Sequence, residues 1–176
     1  MRALWTCPRF LGGGGRGSAQ VLQWLAVLDS SVYVAAVLTN NPRSPNRETV
    51  ELGLAGVFIL ATSEYIKTEV EETLAAAGVI AETINSMLSP IWRVARWLDP
   101  VDDSPVFAKA VRDENDRPIL RAALGAYTVP DLAPLPDKYL VSENTKHFVP
   151  KRNLYGFECI TPGGFLAAIR RVGTKT

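Results

Sequence analysis

The stretch VLQWLAVLD, Val21 to Asp29, constrains the fold more than any other part of this 176-residue chain. Apart from Gln23 it is an unbroken apolar run closed by an acid. Such a run reads as a strand covered on both faces, and strands of that kind belong to parallel sheets flanked by helices. In open sheets of this type ligands bind just beyond the carboxyl ends of the strands, so Asp29 is the first candidate site residue. A carboxylate that merely caps the next helix is the alternative.

The chain beyond it alternates helix and strand signals. Ser30 and Ser31 open an apolar helix over Val32–Leu38. The turn Asn40–Pro45 leads into a helix expected over Arg47–Ala55, stopped by Gly56, and a second buried strand follows at Val57–Ala61. Thr62 and Ser63 cap the helix SEYIKTEVEETLAAAG, whose apolar stripe is Ile66, Val70, Leu74 and Ala77. At roughly 100° per residue Glu69 lies about 60° from Ile66, on the flank of that stripe, whereas Glu64 and Glu71 point nearly opposite to it. Glu69 is thus the acid of this helix that can lean into a pocket, or else pair with a neighbouring Arg. Residues 79–89 read as another helix, stopped at Ser89-Pro90. Ile91–Leu98 reads as a helix end and a short strand, and residues 99–105 as a loop.

The segment VRDENDRPILRAAL, Val111 to Leu124, sets Asp113 and Asp116 three residues apart ahead of a helix. Pro118 suits the first helical turn, Asp116 is a good N-cap, and Ile119, Leu120, Ala123 and Leu124 form an apolar face. Two carboxylates on such a platform, with the helix dipole keeping Asp116 ionised, can bind a hard divalent cation. The plainer reading makes Asp116 a cap and Asp113 a solvated turn residue. Strands at Lys138–Val141 and Phe157–Ile160 and a last helix, Gly163–Arg171, complete the order. Together these elements predict a three-layer α/β/α sandwich with a mainly parallel central sheet.

Composition narrows the function. Net charge is +1, which argues against a polybasic nucleic-acid coat or membrane module. The charge is unevenly spread, however: residues 48–116 hold thirteen acids and five bases, and both flanks are basic. An acidic middle with basic ends suits a metal-loaded pocket with a phosphate-attracting rim, or an ordinary surface. Cys7 and Cys159 make neither a disulfide framework nor a zinc site, pointing to a reducing cytoplasm. The longest uncharged apolar stretch, Leu52–Ser63, is too short to span a bilayer. Residues 1–20, with four glycines at Gly12–Gly15, read as a flexible extension ahead of one domain over residues 21–176.

Five motifs in order resemble those of PIN domains, in particular the VapC-like toxins of toxin–antitoxin pairs: VLDSSVYVAAVL, SEYIKTEVEETL, DENDRPILRAAL, YLVSENTKHF and ECITPGGFLAAI. The resemblance implies a nuclease fold in which Asp29, Glu69, Asp113 and Asp116 converge on Mg²⁺ or Mn²⁺ and cut single-stranded RNA. It also implies a small antitoxin as partner and pairing of two copies. Asn144 and Ser31 would position water or phosphate, and Arg43, Arg47, Lys146, Lys151 and Arg152 would contact the backbone. The chain departs from the pattern at Ser31, where relatives commonly have Asn, and at Asn144 and His147, where acids are common. His147 is either a functional group or a capping histidine. Val32, Val34, Val37, Leu38, Leu52, Leu54, Trp92 and Trp97 form the apolar surface expected to pair two copies, unless they fill the core.

Overall fold

The computed structural model describes residues 24–173. The glycine run and Cys7 lie outside them. The central sheet has five strands, all parallel, in the order β3-β2-β1-β4-β5. These are β1 (Trp24–Leu28), β2 (Ile59–Thr62), β3 (Arg96–Trp97), β4 (Asp137–Val141) and β5 (Glu158–Ile160). Seven helices accompany them among the described residues: α1 (Ser30–Leu38), α2 (Pro45–Leu54), α3 (Glu64–Ala76), α4 (Ala81–Val94), α5 (Phe107–Ala110), α6 (Arg117–Gly125) and α7 (Pro162–Gly173). The expected sandwich is therefore the observed fold, and its sheet is wholly parallel.

The strand order follows from which runs are apolar. β1 is buried along its whole length, with Leu25, Ala26, Val27 and Leu28 at 0% exposure, so it takes the centre with β2 on one side and β4 on the other. Leu25, Val27 and Leu28 each contribute about 1.5–3 kcal/mol by leaving water. Moving from β1 to β2 to β3 runs in one direction, and right-handed crossovers place the intervening helices on one face. Accordingly α1 packs on α2 and α3, and α2 on α4 and α7. The connection from β3 back to β4 reverses direction and carries α5 and α6. The gap between the carboxyl ends of β1 and β4 is therefore the switch point of the sheet.

Several expectations need correction. Pro90 does not stop a helix; it lies inside α4. Ile84, Met87, Leu88 and Ile91 are all buried, so one apolar stripe runs through the proline and its packing outweighs the lost backbone bond. α5 was not foreseen, being a single turn with little periodicity. Ala77 is exposed, and the α3 stripe is Ile66, Val70 and Leu74. Most of the side chains assigned to a pairing surface belong to the core: Val32 and Leu52 are buried, and Val34, Val37, Leu54 and Trp92 pack against them. Leu38 and Trp97 are the exposed members.

Candidate metal centre

β1 delivers Asp29 to the switch point, where its side chain is 2% exposed. It stands at the N-cap position of α1, but its carboxylate makes no cap hydrogen bond. Three hydroxyls donate to it instead, Ser30 Oγ at 3.2 Å, Ser31 Oγ at 2.8 Å and Ser142 Oγ at 2.5 Å. The first two are its neighbours at the start of α1. Ser142 follows β4, whose Val141 carbonyl accepts the Asp29 N–H at 2.9 Å, so the contact spans the switch point. Parallel pairing of Leu28 with Val141 makes it possible.

α3 brings Glu69. Its N-cap Ser63 accepts the Ile66 N–H, and the buried Ile66–Val70–Leu74 stripe fixes the helix rotation so that Glu69 is half-buried on the flank, as its position in the pattern predicts. Burial pushes its carboxyl above the usual range. The Ser30 hydroxyl partly offsets that, and the charges of Asp29 and Asp116 push further upward. Its Oε2 is buried without a hydrogen-bond partner.

The Asp113–Asp116 segment behaves differently from its sequence pattern. A 3-10 turn, Glu114–Asp116, precedes α6, and Asp113 takes the capping role, its Oδ1 accepting the Asn115 N–H at 3.0 Å. Asp116 makes no side-chain cap bond, so its carboxylate is released from the helix end. It accepts instead from His147 Nδ1 at 2.7 Å. Nor does the helix dipole dominate its charge state: burial raises the Asp116 carboxyl above the ordinary range, the His147 bond lowers it, and Asp29 and Asp113 raise it. His147 Nδ1 also lies 3.9 Å from Asp113 Oδ2.

Asp29 and Asp116 act on Glu69, and Asp29 and Asp113 act on Asp116, across the carboxyl edge. All four act on Tyr65, the α3 tyrosine whose hydroxyl donates to the Asn115 carbonyl at 3.1 Å. Its phenol is pushed up by burial and then by Glu69, Asp116, Asp29 and Asp113. The donor set is hard oxygen and Glu69 Oε2 is an orphaned buried acceptor, so the residues fit a divalent cation.

The expected positioning residues are scattered. Ser31 touches Asp29 directly. Asn144 is exposed, and its backbone N–H donates to Ser142 Oγ. Lys146 borders an open depression with Arg112, Asp113, Glu114, Asn115 and His147. Arg43 is exposed in the loop before α2; three residues on, Asn46 Nδ2 donates to Glu143 beyond β4, which holds that loop over the same edge. Arg47 pairs with Glu51. Ser142 went unforeseen. A small hydroxyl residue just past an apolar strand was its only signal, and its partner depends on strand order.

A family model described as PIN domain matches residues 26–132. That span is more than half of the chain and includes Asp29, Glu69, Asp113 and Asp116. No curated protein matches the chain, and no solved structure does. PIN domains are generally metal-dependent nucleases, and the acidic cluster at the switch point is where that chemistry would sit. With a wholly parallel five-stranded sheet, acids at its carboxyl edge and this match, the chain belongs to the PIN-domain family.

Proposed function

We propose that the protein is a Mg²⁺- or Mn²⁺-dependent endoribonuclease acting on single-stranded RNA, and the toxin of a toxin–antitoxin pair. The observation that carries the enzymatic reading is the mutual influence of Asp29, Glu69 and Asp116, acids from three separate elements of a PIN-family sheet. Asp29, Asp113 and Asp116 would hold the ion, and Glu69 would bind it or its water. A bound ion would supply neutralising charge at the scissile phosphate and a lowered pKa for the attacking water.

The chain's own residues supply the geometry. Ser30, Ser31 and Ser142 fix the orientation of the Asp29 carboxylate. Asn144 and Ser31 position water or phosphate, and Arg43 and Lys146 hold neighbouring phosphates as positive charges. Water adds to phosphorus, the P–O3′ bond breaks and O3′ leaves with a proton, giving a 5′-phosphate and a 3′-hydroxyl. Labelled single-stranded RNA should be cut with either ion and spared in EDTA. A panel of sequences left intact under both ions would reject the enzyme and leave a PIN module that binds RNA or protein without cutting.

The toxin role, an antitoxin peptide as partner and a homodimer rest on the five ordered motifs, and the dimer also on Leu38 and Trp97, 47% and 42% exposed. A cytoplasmic setting suits an RNA substrate and the free Cys159. No helix among the described residues is long and apolar enough to cross a membrane. Light scattering at micromolar concentration should read twice the 19.2 kDa chain mass; a clean monomer would remove the dimer.

A further inference from the structure

The residue that the four acids do not account for is His147. It lies in the 3-10 turn Thr145–His147, and main-chain bonds tie that turn to the segment leading into Asp113. Arg112 N–H donates to the His147 carbonyl at 2.8 Å, Val149 N–H donates to the Ala110 carbonyl at 2.7 Å, and Val111 and Phe148 form an antiparallel bridge. Val111 and Phe148 are both 0% exposed, so the tie is anchored in the core. Backbone bonds therefore place this turn, and with it the imidazole, beside two aspartates about thirty positions earlier in the chain.

Its spacing is that of a ligand. Nδ1 is 2.7 Å from Asp116 Oδ2 and 3.9 Å from Asp113 Oδ2, and one donor atom from each of the three residues falls within 4.8 Å of the others. Ligands about 2.1 Å from a six-coordinate ion stand roughly 3 Å apart along an edge and about 4 Å apart across the ion. The two His147 separations come close to those values, and Nδ1 can offer its lone pair to an ion once the ring proton sits on Nε2 and the hydrogen bond to Asp116 is given up.

We infer that His147 is a nitrogen ligand of the bound ion, and that it makes the centre select Mn²⁺ over Mg²⁺. This rests on the metal-dependent reading of the same site. Mn²⁺ accepts a nitrogen ligand beside its oxygen ligands, whereas Mg²⁺ keeps to oxygen and gives up its waters reluctantly. An all-carboxylate centre discriminates between the two ions far less.

The test uses the full chain and the metal alone. Pulsed electron paramagnetic resonance of the Mn²⁺-loaded protein should show nitrogen-14 coupling from a directly bound imidazole, and that coupling should vanish in His147→Asp and His147→Gln. By titration calorimetry His147→Asp should lower the ratio of Mn²⁺ to Mg²⁺ affinity about tenfold, because a carboxylate serves Mg²⁺ as well as it serves Mn²⁺. His147→Gln can still donate a hydrogen bond to Asp116; if the histidine only positioned that acid, Mn²⁺ affinity would survive in this variant and the inference would be wrong. Mn²⁺ bound to the wild type without nitrogen coupling, or coupling that persists in His147→Asp, overturns the inference and leaves the metal centre standing. Failure of the wild type to bind either ion overturns both.

Discussion

The two sides of the acid cluster are built by different means. Asp29 stands at the tip of a buried strand, 2% exposed, with three serine hydroxyls donating to it. Asp113, Asp116 and His147 stand on short 3-10 turns outside any strand, partly open to solvent, and are held by one imidazole contact and a backbone bridge. The sheet side supplies a fixed position. The turn side supplies access. PIN domains are generally metal-dependent nucleases, and a centre of that kind, which must both hold an ion and admit a polymer, would benefit from that division.

The largest expected effect breaks the fixed side. Asp29→Asn should lower metal-dependent RNA cleavage by about a thousandfold or more, because a charged ligand and the water it helps to activate are lost together. Far-UV circular dichroism should be unchanged, since the amide oxygen can accept from Ser31 and Ser142 while the amide nitrogen donates to the Ser30 oxygen. Asp113→Asn and Asp116→Asn should act in the same direction. If two of the three variants cut RNA at the wild-type rate, the assignment of the centre is wrong.

A smaller effect separates the two sides by stability. Ser142→Ala removes a hydroxyl that donates to a buried carboxylate and should cost about 1.5–3 kcal/mol in chemical denaturation. Ser31→Ala, at a part-buried position on the same carboxylate, should cost less. Equal costs would mean that the strand-end contact holds Asp29 no more firmly than the helix-start one.

The smallest effect has the opposite sign. Glu69 is pushed above the usual carboxylate range, so the folded chain binds its proton more tightly than the unfolded chain does. The cost of ionising it is fully present above that raised range and fades as pH falls through it toward about 4.3, the ordinary value. In EDTA at pH 7, Glu69→Gln should therefore stabilise the protein slightly, solvent screening of the half-buried carboxyl keeping the gain small, and the gap should narrow as the buffer is taken toward pH 5. A Tm for Glu69→Gln below that of the wild type across this range would show that the carboxylate is needed by the fold.

The sequence made the same division visible. β1, β4 and β5 announced themselves as apolar runs, and Asp29 and Glu69 could be placed because a strand end and a helix flank are set by periodicity alone. The turn side could not be read that way. Spacing made Asp116 a cap, but an inserted 3-10 turn hands capping to Asp113 and frees Asp116 for a histidine 31 positions away. Ser142 was missed for the same reason, because its bond to Asp29 exists only once β4 lies beside β1. Pro90 misled because a local rule was applied where the stripe through Ile84, Leu88 and Ile91 decides the matter.

The contact between Ser142 and Asp29 joins residues 113 positions apart. A ribosome adding roughly 5–20 residues each second takes about 6–23 s to make the intervening chain. Until β4 emerges, β1 has no partner on that edge, and His147 does not yet exist to meet Asp116. The nascent polypeptide therefore assembles the cleft late, when β4 closes on β1.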